Sequence, residues 1–251
     1  SIRMYRQKFG KEYGEVVVVA DGAGNWRKDV FPQYKYKRKK GREESKIDWN
    51  EAFRLLNMIR EEIKENFPYK VMHEQGCEAD DVIAQIAIET QEFGKNEPVM
   101  IISADHDFIQ LQKYSNVKQY SPMTKKFVTH KNPRLYSMEH IFKGDGGDGV
   151  PNVLSDDNVF VEERRQSPVT KKKIDAWLES DNLQRDMGDT IYRNYLRNKK
   201  LIDLTETPDP VRLSIINNFE GQDPWKNRGK VFPYLVNKRC KRLLESVQEF
   251  I

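Results

Sequence analysis

Carboxylates gather at four places along the sequence: Asp21, Glu78-Ala79-Asp80-Asp81, Asp105-His106-Asp107 and Asp145-Gly146-Gly147-Asp148. Two carboxylates about 4 Å apart repel by on the order of 4 kcal/mol even at a surface-like effective dielectric. If the four segments converge, the cluster therefore demands cations. Oxygen ligands with no cysteine or histidine in ligand spacing favour Mg²⁺, with Mn²⁺ as the substitute. Glu78 and Asp81, three apart, share a helical face that a cation could bridge, with Asp80 turned aside. Each group also has a plain reading: Asp21 and Asp105-His106-Asp107 as turns, the Glu78 group as helix N-terminal charge, the Asp145 group as a flexible or calcium-binding loop. The calcium loop fails, because no glutamate stands at its twelfth position. His73, His106, His130 and His140 have no ligand spacing among themselves and receive no role.

A basic arm runs from Arg27 to Lys46, with nine Lys or Arg against three acids. Lys35, Lys37, Arg38, Lys39, Lys40 and Arg42 interleave with Tyr34 and Tyr36, a composition suited to phosphates and stacked bases, although a charge run is also what a solvated face looks like. It follows directly on Asp21, which would hang it over an acidic cleft and steer an anionic substrate inward.

The elements that must position these residues alternate. Val16–Ala20 and Val99–Ile102 are β-branched or apolar runs ending at Asp21 and at Ser103-Ala104-Asp105, as buried parallel strands do. Between them the pattern predicts a helix over about 48–66, with Trp49, Phe53, Leu56, Ile59 and Ile63 on one face and Asp48 and Glu51 as its cap. A short strand over 69–72 and a second helix over about 79–92 follow. Strand, helix, strand, helix, strand implies an α/β fold with a mostly parallel central sheet flanked by helices, and ligands in such sheets lie beyond the carboxyl ends of the strands. Residues 118–120 and 126–129 read as an edge hairpin. Beyond Ser137 the pattern is helical, so the expected domains are an α/β core at 1–136, with the arm at about 27–46, and a helical subdomain at 137–251.

The chain has 251 residues, 37% hydrophobic, 33% charged and 11% aromatic, with net charge +4. It can bury a core, and its aromatics set it apart from disordered chains. Cys77 and Cys240 offer neither a disulfide framework nor a metal motif and fit a reducing, cytoplasmic setting. No apolar stretch approaches the roughly 20 residues that cross a bilayer. Ser1-Ile2-Arg3-Met4-Tyr5 reads as the middle of a helix, which suggests residues upstream of it.

Taken in order, Asp21, Trp26-Arg27, Tyr34-Lys35 with Arg38, Glu78-Ala79-Asp80-Asp81, Ser103-Ala104-Asp105-His106-Asp107-Phe108 and Gly144–Asp148 resemble the 5′-nuclease, or flap endonuclease, superfamily, and within it the ribonucleases H of T-even phages. The likeness spans essentially the whole chain, including Gln110–Met123 and Arg228–Phe232. It implies a PIN-like core in which Asp21, Asp80 and Asp105, supported by Glu78 and Asp81, hold a first metal ion, and Asp107, Asp145 and Asp148 surround a second. It further implies that Arg27 steers substrate, that Lys35 acts at the scissile phosphate, and that Arg38 and the following lysines form an arch for a 5′ single strand. The implied activity is Mg²⁺-dependent 5′→3′ exonuclease and flap endonuclease cleavage with ribonuclease H activity, removing RNA primers and 5′ flaps in phage-type DNA replication, and the implied substrates are RNA/DNA hybrids and duplex DNA with a 5′ single-stranded flap. The implied partners are a single-stranded-DNA-binding protein and a sliding clamp, around a monomer. Two departures qualify this. The family's first strand carries a further metal-binding Asp, and residues 1–15 contain none, which leaves open a flap-binding protein with impaired turnover. The usual glycine-rich duplex-gripping motif after the last aspartates is also replaced, with a helix expected from Ser167-Pro168 and Lys171, Lys172 and Lys173 as its duplex contacts. A PIN-type RNase is a third reading, weakened by the basic arm.

Overall fold

The computed structural model describes residues 1–92 and 95–251, without the side chains of Lys39 and Lys40, whose expected nucleic-acid contacts therefore lie outside the described residues. Along the chain run α1 (Ile2–Tyr13), β1 (Val17–Ala20), α2 (Arg27–Val30), α3 (Tyr36–Glu43), α4 (Trp49–Asn66), β2 (Lys70–His73), α5 (Ala79–Glu89), β3 (Val99–Ile102), β4 (Val117–Ser121), β5 (Lys126–Val128) and α6 (Pro133–Lys143). Then come α7 (Lys171–Leu178), α8 (Leu183–Met187), α9 (Asp189–Ile202), α10 (Asp209–Gly221), α11 (Val231–Asn237) and α12 (Lys241–Leu244). Contacts divide the chain into two compact units, one of residues 1–23, 46–100 and 210–251, the other of residues 24–45 and 101–209. The expected boundary at 136/137 follows the order of elements along the chain, whereas this division interleaves distant segments.

In the first unit β1 and β2 pair in parallel, Val17 opposite Lys70 through Ala20 opposite His73. The intervening α4 has the expected cap, with Asp48 Oδ1 accepting from Glu51 N at 3.0 Å. Phe67, Tyr69, Val231, Leu235 and Phe250 form a core over which Ile63, Val16 and Val18 pack. Burial lifts the Tyr69 phenol to about 12. The apolar face expected of α4 is only partly used: Ile63 joins this core, while Phe53, Leu56 and Ile59 are exposed. The reason is positional, since the helix meets the core at its C-terminal end.

A second sheet has the order β3-β4-β5, and its last two strands, in the second unit, form the expected antiparallel hairpin with Tyr120 opposite Phe127. The core of that unit joins Phe31 and Tyr34 from the arm to Ile141, Phe142, Val150, Ile174, Trp177 and Leu201. Three buried polar residues of α9 hold α6 and the segment after it. Asn198 Nδ2 donates to Ile141 O and Pro151 O at 2.9 and 2.8 Å, Arg197 Nη2 to Pro151 O at 2.9 Å, and Asn194 Nδ2 to Val153 O at 3.0 Å. The helix expected from Ser167-Pro168 begins later, at Lys171, where Thr170 is the cap and its side chain accepts from Lys173 N. Ser167 instead donates its N–H to Ser155 Oγ.

Candidate metal centre

In the second unit the acidic loop is built by one glycine. Gly144 ends α6 at φ +66°, and a Cβ there would lie 2.5 Å from Val150 O and 2.6 Å from Pro151 O. The chain then folds back on itself, with Asp145 N donating to Val150 O at 2.9 Å and Val150 N to Asp145 O at 2.7 Å. Within that loop Asp145 Oδ1 accepts from Gly147 N and Asp148 N at 2.7 and 3.1 Å, which turns Oδ2 toward His140 on α6, 3.8 Å from Nε2. The other nitrogen, Nδ1, faces Asp107 Oδ1 at 3.4 Å and has no hydrogen-bond partner among the described residues. Asp107 is placed by the turn after β3, where Asp105 Oδ1 accepts from Asp107 N at 2.9 Å. A buried side chain, Gln119 on β4, pins that turn by donating to Ser103 O and Asp105 O at 3.1 and 2.5 Å.

Asp107, His140 and Asp145 thus offer three ligand atoms all within 4.8 Å of one another. Burial holds the His140 imidazole below its ordinary pKa, against the opposite pull of Asp145, Asp105 and Asp148. A neutral imidazole carries one N–H, yet each ring nitrogen faces a carboxylate. One lone pair must then oppose an anion, and a divalent cation resolves that conflict. Two carboxylates and an imidazole suit Mn²⁺ or Zn²⁺ as well as Mg²⁺. Burial, and after it the charges of Asp107, Asp105 and Asp145, raise the Tyr136 phenol above its usual value. His140, Tyr136 and Gln119 carry no signal in sequence spacing; the return of α6 over the β3 turn brings in the first two, and the pairing of β4 brings in Gln119.

Asp148, expected as a metal ligand, also takes donors from the arm. Both its oxygens are occupied: the Tyr34 hydroxyl donates to Oδ2 at 2.8 Å, Lys35 Nζ lies 3.4 Å from Oδ2, and Arg38 Nη2 lies 2.6 Å from Oδ1. Lys35 N also donates to Asp148 O at 2.7 Å, with Lys35 held at φ +57°. Asp148 is the anchor of the arm. Tyr34, expected to stack on bases, is buried with its hydroxyl on this anchor, whereas Tyr36 is exposed. Arg27, expected to steer substrate, is 2% exposed; its Nε donates to Leu201 O at 2.8 Å and its guanidinium lies 4.6 Å from the Trp26 ring centroid. A guanidinium so enclosed fixes the arm to α9 and does not reach a phosphate. Arg42 Nε donates back to Arg38 O at 3.3 Å along α3, and Lys37 lies over Phe160, 5.0 Å from its ring centroid. Lys171, Lys172 and Lys173 are exposed on the first turn of α7, where positive charge opposes the helix dipole.

The remaining acids belong to the first unit. Asp21 Oδ1 accepts from Ala79 N at 2.9 Å, joining the end of β1 to the start of α5. Gly22 permits this approach, since a Cβ there would overlap Glu74 O at 1.6 Å. Glu78 and Asp81 form a reciprocal capping box, Glu78 N donating to Asp81 Oδ2 at 3.0 Å, and Asp81 is fully buried. The plain reading of helix-terminal charge is thus realised for Asp81. Asp80, on the same first turn, is partly exposed.

A family model described as the 5′-3′ exonuclease N-terminal resolvase-like domain matches residues 2–141, and one described as the T4 RNase H C-terminal region matches residues 131–250. The chain belongs to the 5′-3′ exonuclease family. It is 36% identical over 247 residues to ribonuclease H of Enterobacteria phage T4, across 95% of this chain and 80% of that protein. It is 27% identical over 148 residues to a 5′-3′ exonuclease of Buchnera aphidicola subsp. Schizaphis graminum, across 55% of this chain and 48% of that protein. The fold of this 5′-3′ exonuclease family member aligns with bacteriophage T5 flap endonuclease in a complex with DNA and metal ions, at TM-score 0.57 and 18% identity, over 92% of this chain and 89% of that one. A second structure of the T5 protein, crystallised with metal ions, aligns at TM-score 0.54 over 92% and 91%.

Proposed function

We propose that this chain is a divalent-metal-dependent nuclease that cuts a nucleic-acid strand from its 5′ end, as a 5′→3′ exonuclease and flap endonuclease with ribonuclease H action. The observation that carries the reading is the Asp107–His140–Asp145 group, three convergent ligand atoms with an unresolved charge conflict, in a chain of this family. These residues hold one ion. Asp105, whose charge acts on the His140 imidazole, stands with them, and in the first unit Asp21 and Asp80, with Glu78, are the carboxylates proposed for a second. The ions are Mg²⁺, with Mn²⁺ as substitute, and when bound they supply a nucleophilic water and stabilise charge on the displaced phosphate.

The chain's own side chains set the rest. Lys35, held by Asp148 through backbone and side chain, adds a fixed positive charge beside a scissile phosphate. Tyr36, Lys37, Arg38 and Arg42 track the single strand, and Lys171, Lys172 and Lys173 contact duplex backbone, which accounts for lysines placed against a helix dipole. The substrates are RNA/DNA hybrids and duplex DNA with a 5′ flap, in replication of a phage type. A single-stranded-DNA-binding protein and a sliding clamp are the proposed partners of a monomer acting in the cytoplasm; no helix among the described residues is long and apolar enough to cross a membrane.

The test is incubation of the chain with Mg²⁺ and a 5′-labelled RNA·DNA hybrid. Short labelled products that disappear in Asp145→Asn are expected. Absence of such products, or full activity in that variant, refutes the reading.

A further inference from the structure

A cavity of about 650 Å³ opens in the second unit between α3 and residues 160–168, with Lys37, Phe160, Arg165 and Gln166 in its lining. Its size falls in the range of small-ligand sites. Its wall is preformed: Asn152 N donates to Gln166 Oε1 at 2.7 Å, Asn152 Nδ2 to Ser167 O at 2.7 Å, Ser167 N to Ser155 Oγ at 3.0 Å, and Ser155 Oγ to Asn152 Oδ1 at 3.0 Å. Asn152 and Ser155 are buried, so this frame is part of the core and is not shaped by solvent.

The groups facing the space are of two kinds. Phe160 presents a ring whose one edge packs against the acidic loop, since a Cβ at Gly146 would lie 3.6 Å from Phe160 Cζ. Lys37 covers the ring from the arm side. Arg164 is neutralised by Asp156 and Glu162. Lys37 and Arg165 have no ion pair among the described residues, against the single carboxylate of Glu163 in the lining. The Gln166 amide uses its oxygen on the wall, which leaves its N–H₂ as a donor. An aromatic face, two cations and an amide donor match one chemical object, an unpaired nucleotide: a base to stack, a phosphate to neutralise and a base edge to accept.

We propose that this cavity binds one unpaired nucleotide of a single strand, its base on Phe160 and its phosphate at Arg165. The inference deepens the nuclease reading, because Gly146 stands next to Asp145 and the bound nucleotide lies one ring from the metal centre. It gives the site a preference for strands that can be splayed out of a duplex, through Phe160 and Arg165 outside the arm and Lys37 within it.

The test is fluorescence anisotropy of a labelled short oligothymidylate, an oligouridylate and a blunt duplex in EDTA, where no cleavage occurs; the hybrid-cleavage assay reports on the nuclease reading separately. Wild type is expected to bind single strands more tightly than blunt duplex. Phe160→Leu should weaken single-strand binding about tenfold while Phe160→Trp retains it, as base stacking on an aromatic requires. Arg165→Gln should lower the slope of log affinity against log salt by about 0.7, one phosphate contact on a single strand. The two oligonucleotides tell whether the strand is DNA, RNA or either. Equal binding by Phe160→Leu and wild type, equal weakening on single strand and duplex, or no single-strand binding by wild type overturns the proposal.

Discussion

Lys35 and Asp148 are joined twice, by the Lys35 N–H to Asp148 O at 2.7 Å and by the Lys35 ammonium 3.4 Å from Asp148 Oδ2. The double link requires Lys35 to stand at φ +57°, a conformation that costs a branched-chain-free L residue on the order of 1 kcal/mol and is stored at functional sites.

Replacing Lys35 with glycine separates strain from function. Glycine relieves the left-handed backbone but adds unfolded-state entropy of about 0.5–1 kcal/mol, so stability should change by less than about 1 kcal/mol. Cleavage should nevertheless fall on the order of 100-fold, the usual scale for losing one oriented charge at the reacting centre. Denaturant unfolding beside single-turnover cleavage checks both; a stable variant that cuts at the wild-type rate sinks the assignment of Lys35.

Gly144 makes the opposite prediction. Any side chain there meets the carbonyls of Val150 and Pro151 at about 2.5–2.6 Å and must also accept φ +66°. Gly144→Ala should destabilise by at least about 1–3 kcal/mol and weaken metal binding, because the Asp145 turn starts at that residue. Gly10, inside α1, is the control: a Cβ there meets only Arg6 Cγ at an ordinary 3.5 Å, so Gly10→Ala should add about 0.5–1 kcal/mol. Urea unfolding of the two variants reads the contrast.

Much of this arrangement was legible locally and some was not. β1, β2, β3, the edge hairpin and the Asp48 cap of α4 follow from patterns within a few residues, and the structure places them where periodicity does. The carboxylate groups were equally visible by type. What each carboxylate does was less so, because its partners are distant. Asp148 reads as a metal ligand, and the sequence gives no sign that Tyr34 and Arg38, 114 and 110 residues away, also donate to its two oxygens. Asp81 reads as a support for the first metal, and the structure shows it capping its own helix start. Arg27 reads as surface charge until Leu201 and Trp26 enclose it.

Asp157 gives a pH dependence with a definite sign. Although burial raises its pKa, hydrogen bonds and charge from Arg193 and Arg197 outweigh this and hold the carboxyl below its ordinary value. A depressed carboxyl contributes stability above its unfolded pKa of about 3.9, and loses it as pH falls through the folded value. Arg197 is buried and pinned to Pro151 O as well, so Asp157→Asn leaves a buried cation short of its anion. The variant should be less stable than wild type at neutral pH, and the gap should close as pH drops below the ordinary carboxylate range. A gap in unfolding free energy that persists unchanged to strongly acidic pH contradicts the pairing.

His140 carries the last expectation, and it distinguishes a ligand from a bystander. If its imidazole completes the ligand set with Asp107 and Asp145, within 4.8 Å of each other, then His140→Asn should weaken Mn²⁺ binding by roughly 10-fold, the scale seen when a metal site loses an orienting partner. Nitrogen ligation favours the transition metal over the alkaline earth, so Mg²⁺ affinity should fall less than Mn²⁺ affinity. Titration of both ions by calorimetry, with Asp107→Asn as the variant that should lose both, measures the ratio directly. Were His140→Asn to leave the Mn²⁺ to Mg²⁺ preference at the wild-type value, the imidazole would be a spacer between two carboxylates, and the site would be one of oxygen ligands alone.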